Sequence, residues 1–148
     1  MRKFQVLLTF LLGFVVSSFA AQPVEWTAVV DLASNNEGVL KISAEIEDGW
    51  KLYGMDLPLG GPVSTNIQIE ATGAEMKGDL VAETQCISAN DETFQSTLEW
   101  WEGNATFSQR FKVVDQSATF SIKIRYMSCD GTTCTRPTNS KLVIEINK

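Results

Sequence analysis

VLKISAEIE, residues 39–47, alternates apolar and polar side chains from Leu40 onwards. Its apolar members are Leu40, Ile42, Ala44 and Ile46, and charged or hydroxyl side chains stand between them. A period of two places one set of side chains on each face of an extended strand, so the stretch predicts a β-strand with one buried and one wet face. ATFSIKIRYM, residues 118–127, repeats the pattern and predicts a second such strand.

Further strand-like runs follow one another along the chain, with turn signals rich in glycine, proline and asparagine between them. The runs are VEWTAVVDL, TNIQIEA, DLVAETQC, STLEWW, TFSQRFKVV and KLVIEI; the turn signals are SNNEG, EDG, LPLGGP, ATGAEMKG and EGN. Since no long segment has a helical period, the pattern favours an all-β chain folded as a single antiparallel β-sandwich, with an immunoglobulin-like arrangement as the best match.

The first 21 residues have the composition of a secretory signal peptide. Arg2 and Lys3 precede an uncharged apolar run, and small residues follow at Ala20 and Ala21. The run from Phe4 to Val16 is short against the roughly 20 residues of a membrane-spanning helix. We therefore expect a cleaved signal peptide over residues 1–21, an exported protein, and one mature domain over residues 22–148.

The charge and composition of the chain argue against several classes of function. The formal net charge is −6, and removal of Arg2 and Lys3 with the signal peptide makes the mature domain more acidic still, so a nucleic acid is not an expected partner. The chain has no histidine and only three cysteines. A structural zinc site or a Ser-His-Asp triad is therefore not expected, and we expect no metal and no organic cofactor.

Two of the three cysteines flank a tight-turn signal. Cys129 and Cys134 enclose Asp130-Gly131 in the segment CDGTTC, directly after the second alternating strand. Asp and Gly both tolerate the left-handed backbone conformation of a tight turn, so the two thiols can approach each other across it. A disulfide here is either a structural bridge, which closes too short a loop to stabilise the domain much, or a redox pair that exchanges with other proteins.

Two other features have open interpretations. Cys86 lies in strand-like surroundings, which favours a buried, unreactive thiol. Trp100 and Trp101 are adjacent on a predicted strand and must point to opposite faces, so we expect at most one of them in the core. The other is a candidate stacking platform, which makes a non-catalytic binding module with a structural hairpin disulfide the main alternative function.

Four segments together resemble the N-terminal periplasmic domain of the transmembrane reductase DsbD. They are DGWKLYGMDLPLGGPVSTNIQIE, NDETFQSTLEWW, ATFSQRFKVV and YMSCDGTTCTRP, of which the last, with its Tyr-x-x-Cys...Cys-x-x-Pro pattern, is the most specific. The resemblance implies an immunoglobulin-like sandwich that acts as a periplasmic thiol:disulfide oxidoreductase. It implies that Cys129 and Cys134 are the redox pair and that Cys134 forms the mixed disulfide with partners.

The resemblance also implies a cap loop over the cysteines. The matching positions lie in DETFQ, where Asp91 and Glu92 are the acidic pair and Phe94 is the aromatic cap. A ring shields a reactive sulfur, and nearby carboxylates disfavour its thiolate. Tyr53, in GWKLY, matches a tyrosine near the cysteines. The residues alone favour an ordinary solvated turn for Asp91 and Glu92 and the start of a core strand for Phe94, and a core aromatic explains Tyr53 equally well.

The resemblance further implies transient protein partners. These are thioredoxin-like and other periplasmic thiol-disulfide proteins, including those of cytochrome c biogenesis. The turn between the cysteines is one residue shorter than in the best-known members, which puts the pose of the sulfurs in question. Because the sequence given ends at Lys148, without a membrane segment or a thioredoxin-like domain, we expect a membrane-embedded reductase on another chain to supply electrons.

Overall fold

The computed structural model describes residues 22–147, which fold as eleven β-strands with no helix in that range. The strands are β1 (Val24–Leu32), β2 (Glu37–Ile46), β3 (Lys51–Tyr53), β4 (Asn66–Thr72), β5 (Ala74–Ala82), β6 (Ile87–Asp91), β7 (Ser96–Trp101), β8 (Asn104–Val113), β9 (Ser117–Tyr126), β10 (Ser128–Cys129) and β11 (Thr138–Asn147). No helix in this range could therefore span a membrane. The expected signal peptide lies outside the described residues.

The strands form three antiparallel sheets. The orders are β1-β2-β8-β5, β11-β9-β4 and β10-β3-β7-β6. β9 leads through Met127 directly into β10, so the second and third sheets are joined by one continuous stretch of chain. The prediction of an all-β antiparallel chain is confirmed.

The core forms where the apolar faces of the alternating strands meet. Both alternating segments keep the predicted faces: Leu40, Ile42, Ala44 and Ile46 of β2 are buried, as are Phe120, Ile122 and Ile124 of β9. They belong to one cluster with apolar residues of β1 and β8. The period-two pattern therefore predicted both the strand type and the inward face correctly.

In the sheet β10-β3-β7-β6, strands β3 and β7 are covered by apolar side chains on both faces, whereas most of β6 is exposed. Leu52 and Trp101, which are cross-strand partners, belong to the main core. Their neighbours Tyr53 and Trp100, also paired across the strands, belong to a second buried cluster together with Cys129. Because side chains alternate along a strand, the two clusters lie on opposite faces of this sheet.

The expectation that only one of the adjacent tryptophans is buried is wrong. Trp100 is 5% exposed and Trp101 is 2% exposed. Their rings do point to opposite faces, but each face has its own apolar cluster. The structure therefore contains no exposed stacking platform at these two residues, and the binding-module alternative loses the surface that motivated it.

The segment 71–78, read as a turn, is mostly strand. β5 begins at Ala74, and its pairing with β8 shifts register between Lys77 and Val81, where Gly78 adopts a φ of +72°. The buried Gln109 amide donates hydrogen bonds to the Lys77 and Gly78 carbonyl oxygens and so satisfies the interrupted ladder. Gly78 marks a bulge within a strand, a use of glycine that resembles a turn signal in sequence.

Gly73 sets the crossing from β4 in one sheet to β5 in another. It has a φ of +76°, and a Cβ at this position would collide with the Ser117 carbonyl oxygen.

Gly73→Ala should lower the free energy of unfolding by about 2–4 kcal/mol, because left-handed strain and a backbone clash add. Gly49→Ala is the matched control. Gly49 has a φ of +84°, but an added Cβ would meet no atom within 4 Å apart from its chain neighbours, so this substitution should lower the free energy of unfolding by only about 1 kcal/mol. If urea unfolding shows the same loss of stability for Gly73→Ala and Gly49→Ala, the predicted clash with Ser117 is wrong.

Candidate functional site

The site is built on β10, a two-residue strand that continues β9 and pairs with β3. Cys129 stands opposite Lys51 in this pairing, and Ser128 stands opposite Leu52. The Ser128 hydroxyl donates a 2.8 Å hydrogen bond to the Lys51 carbonyl oxygen, which adds a side-chain contact between β10 and β3. The backbone of Cys129 is therefore held at a fixed place on the β10-β3-β7-β6 sheet.

A tight turn folds the chain back from Cys129 to Cys134. Asp130 closes it, because its Oδ1 accepts hydrogen bonds from the Thr132 and Thr133 amides at 2.8 and 2.6 Å. These bonds lower the pKa of the Asp130 carboxyl below its ordinary value. Gly131 adopts a φ of +90°, which an L side chain would strain. The predicted tight turn is present, but only Gly131 adopts the left-handed conformation, and Asp130 contributes through its side chain.

The two sulfurs across this turn are joined. Cys129 and Cys134 form a disulfide with an S–S distance of 2.01 Å and a Cα–Cα distance of 4.1 Å. Their exposure differs: Cys129 has 0% of its surface accessible, whereas Cys134 is only partly buried. Cys129 therefore belongs to the second cluster as a buried member, and Cys134 packs against it as a partly buried residue.

The turn between β6 and β7 carries Phe94 against this cluster. Phe94 is partly buried, packs on the cluster that holds Cys129 and Cys134, and meets the Tyr53 ring edge to face at a centroid distance of 5.7 Å. Phe94 does not belong to a strand, because β6 ends at Asp91 and β7 begins at Ser96. The reading of Phe94 as the start of a core strand is therefore wrong.

Asp91 is a buried charge with four hydrogen-bond donors. Its Oδ1 accepts from the Thr93 and Phe94 amides at 2.9 and 3.1 Å, and its Oδ2 accepts from the Tyr53 hydroxyl at 2.9 Å and the Lys51 ammonium at 3.1 Å. The side chain is 0% exposed. One carboxylate thus ties the backbone of the Phe94 turn to two side chains of β3.

These contacts fix the protonation states of the group. Burial alone would raise the pKa of Asp91, but the Lys51 ammonium, the Tyr53 hydroxyl and the Phe94 amide hold it below its ordinary value. Burial, reinforced by the Asp91 carboxylate, raises the pKa of Tyr53 far above its ordinary value. Asp91 is therefore ionised and Tyr53 is neutral at neutral pH.

The acidic pair of the sequence separates in the structure. Asp91 is buried, while Glu92 is exposed, and the Glu92 carbonyl oxygen accepts a 2.6 Å hydrogen bond from the Gln95 side chain. The reading of both residues as a solvated turn therefore holds for Glu92 and fails for Asp91. The contacts of Asp91 make it an anchor of the turn that carries Phe94.

Sequence reasoning missed Lys51. Its ammonium bonds Asp91 and lies 4.0 Å from the centroid of the Trp100 ring, and its backbone pairs with Cys129. The signal was available in GWKLY, because Lys51 stands two residues before Tyr53 and a strand would place both on one face.

The third cysteine is set apart from this site. Cys86 packs against the main core, and burial, with a smaller contribution from the Glu99 carboxylate, raises the pKa of its thiol to about 11. A thiol of that pKa is almost wholly protonated at neutral pH and is a poor nucleophile. The prediction of a buried thiol in a strand is not borne out, because Cys86 is half-buried and lies between β5 and β6; the raised pKa supports the low reactivity that was predicted.

Comparison with known proteins assigns the family. The model of the family described as thiol:disulfide interchange protein DsbD, N-terminal, matches residues 20–145. No curated protein shows a significant sequence match to the chain.

Two solved structures share the fold. The N-terminal periplasmic domain of ScsB from Proteus mirabilis matches with a TM-score of 0.60 and 16% identity, over 84% of this chain and 47% of that chain. The chain thus spans about half the length of that structure. The Neisseria meningitidis DsbD N-terminal domain in the reduced form matches with a TM-score of 0.53 and 16% identity, over 83% of this chain and 86% of that chain. The immunoglobulin-like β-sandwich is confirmed, and the chain belongs to the family of DsbD N-terminal domains.

Proposed function

We propose that the domain is a thiol-disulfide exchange module of the periplasm, in which Cys129 and Cys134 carry two electrons between protein partners. Family membership and the hairpin disulfide support this function. The single observation that carries it is the unequal exposure of the two cysteines: Cys134 is partly buried at the edge of the second cluster, and Cys129 is enclosed within it. Exchange requires one sulfur that a visitor reaches and one that stays behind to resolve the intermediate.

The chemistry needs no group beyond the two thiols. The Cys134 thiolate attacks a partner's disulfide, forms a mixed disulfide and releases one partner sulfur as a thiolate. The Cys129 thiolate then attacks the Cys134 sulfur, which restores the Cys129–Cys134 disulfide and releases the second partner thiolate. The partner gains two electrons and the domain loses two. A dithiol donor restores the reduced domain by the same steps in reverse.

In this proposal Phe94 acts as the cap and Asp91 as its anchor. The Phe94 ring packs on the cluster that contains both cysteines, so it restricts approach to the pair while it remains there. Tyr53 completes the assembly, because it contacts the Phe94 ring and binds Asp91 through its hydroxyl. Glu92 is exposed and receives no part in holding the cap.

The partners of the exchange follow from the same chemistry. We infer thioredoxin-like and other thiol-disulfide proteins of the periplasm, engaged through transient mixed disulfides, with re-reduction by a membrane-embedded reductase on another chain. These partners are proteins with a reactive cysteine pair, so the surface around Cys134 must accept a protein edge once the cap has moved. The rival function is a non-catalytic β-sandwich whose hairpin disulfide is structural.

A redox equilibrium separates the two functions. The oxidised domain, incubated with a large excess of reduced thioredoxin-like protein under native conditions, should gain two maleimide-reactive thiols without loss of its circular dichroism. Structural disulfides of exported proteins have potentials below about −300 mV and resist such donors. A disulfide that opens only when the domain unfolds would overturn the proposal and favour the rival.

The two cysteines should have different roles. In a Cys86→Ser background, Cys129→Ala leaves only Cys134, and Cys134→Ala leaves only Cys129. Each variant is mixed with a thioredoxin-like protein that carries one cysteine activated by a chromogenic thiol. The thioredoxin-like protein should release its chromogenic thiol at least about tenfold faster when it is mixed with the variant that retains Cys134. The reason is that the buried Cys129 requires local opening before it reacts. Equal rates, or faster release from the variant that retains Cys129, would reverse the assignment.

Removal of the cap ring should expose the pair. Phe94→Ala is expected to speed reduction of the disulfide by a small dithiol by about 3- to 10-fold, as the loss of roughly 1 kcal/mol of aromatic packing would shift the cap towards open states. Ile87→Ala is the control, since Ile87 lies on the adjoining strand but is 42% exposed. An unchanged rate for Phe94→Ala would remove this ring from the mechanism.

A further inference from the structure

Lys51 contacts both the strand that carries Cys129 and the carboxylate that anchors the Phe94 turn. Its backbone pairs with Cys129, and its carbonyl oxygen accepts a hydrogen bond from the Ser128 hydroxyl. Its ammonium bonds Asp91 Oδ2 at 3.1 Å and lies 4.0 Å from the centre of the Trp100 ring. No other lysine or arginine in the described part of the chain forms an ion pair with a buried carboxylate.

This ion pair differs from the other two in the described range. In the Lys51–Asp91 pair the side chains are 23% and 0% exposed, whereas in the Lys123–Glu70 pair they are 53% and 68% exposed. Exposed pairs contribute little to stability, because water screens them and their side chains lose entropy. A partly buried pair whose carboxylate is wholly enclosed cannot exchange its partner for water, so loss of the ammonium leaves a buried charge short of a donor.

The effect of Lys51 reaches the cap through Asp91. One oxygen of that carboxylate holds the Thr93 and Phe94 amides, and the other holds Lys51. When the ammonium is removed, the carboxylate keeps three donors but loses its only counter-charge. It then gains free energy by turning towards water, and a carboxylate that turns away releases the backbone of the turn that carries Phe94.

We propose that Lys51 is a positioning residue that latches the cap: its ammonium holds Asp91 in place, and Asp91 in turn holds the turn that packs Phe94 against the cluster containing Cys129. This inference rests on the proposed function, since a latch matters only if the pair must be both shielded and reached. Lys51 exchanges no electrons or protons. It sets the fraction of time in which a visitor finds the Cys134 sulfur uncovered.

The test compares four proteins: the unsubstituted domain, Lys51→Met, Lys51→Arg and the control Lys123→Met. Methionine keeps much of the length of the stem and removes the charge, while arginine keeps the charge. A water-soluble phosphine reduces the disulfide with one water molecule to two thiols and a phosphine oxide, and mass spectrometry after maleimide labelling counts the new thiols. This small reductant needs an open cap but no protein recognition.

Lys51→Met should be reduced about tenfold faster than the unsubstituted domain, the change expected when a charged hydrogen bond that favours the closed cap is lost. Lys51→Arg should restore most of the slow rate, and Lys123→Met should leave the rate unchanged. Thermal melts followed by circular dichroism exclude global unfolding as the cause. A rate for Lys51→Met equal to that of the unsubstituted domain, or equal acceleration in the methionine and arginine variants, would overturn the latch.

The pH dependence gives a second readout that a packing defect would not produce. Asp91 faces the Lys51 ammonium, the Tyr53 hydroxyl and the two turn amides. In Lys51→Met the buried Asp91 carboxylate has lost its counter-charge, so burial raises its pKa in the closed cap above that of the solvated carboxylate in the open cap, and protonation favours the closed cap. In the unsubstituted domain the pKa of Asp91 is lowered, so Asp91 stays ionised over this range. The ratio of the Lys51→Met rate to the unsubstituted rate should therefore fall as the pH falls from about 7 to about 5. A ratio independent of pH would contradict the electrostatic latch.

Failure of the latch and failure of the exchange function have different signatures. If the four proteins are reduced by the phosphine at one rate while the domain still equilibrates with a thioredoxin-like donor, the latch is wrong and the exchange function stands. If the phosphine rates differ as expected but no thioredoxin-like donor reduces the pair, the cap is real and the exchange function is wrong.

Discussion

The two-sided burial of strands β3 and β7 in the β10-β3-β7-β6 sheet is the constraint on which the site depends. Leu52 and Trp101 anchor one face in the main core, and Tyr53 and Trp100 fill the cluster on the other face. A sheet held from both sides has little freedom to tilt or slip, since a one-residue slip would exchange its two apolar faces. The short strand that presents Cys129 gains its precision from this sheet, because two residues of pairing alone would not fix it.

Asp91 extends that precision to the turn that packs Phe94 against the second cluster. A buried carboxylate is costly unless every acceptor position is filled, and here two side chains of β3 and two amides of the turn fill them. The arrangement makes one conformation of the turn strongly preferred, because few others would satisfy the same charge. It also makes the turn responsive, because any change at Lys51 or Tyr53 alters the free energy of the closed state. The hydrogen bonds of Asp91 therefore both fix the conformation of the turn and make it sensitive to substitution.

The sequence predicted the alternating strands well and the site only in outline. Period-two runs such as residues 39–47 specify a strand and its buried face by themselves, and Asp-Gly between two cysteines specifies a tight turn. The sheet with two buried faces lacks such a period: Trp100 and Trp101 are both apolar, and so a pattern based on one wet face misjudged them. Gly78 was misread for a related reason, since a bulge and a turn use glycine alike. Lys51 was missed because Asp91, with which its ammonium forms the ion pair, lies 40 residues away in the sequence.

The energetics of the cap favour opening by a local movement. Phe94 is only partly buried, and the turn from Glu92 to Gln95 has mostly exposed side chains, so moving it uncovers little apolar surface. Tyr53, Trp100 and Cys129 are buried, and displacing any of them would disrupt the cluster that supports the disulfide. In the proposed exchange, a partner that displaces Phe94 uncovers little apolar surface, works against the hydrogen bonds that Asp91 makes to the turn, and leaves Cys129 enclosed. Such an order of exposure would suit the proposed exchange, because Cys129 stays adjacent to Cys134 and can resolve the intermediate before a second partner arrives.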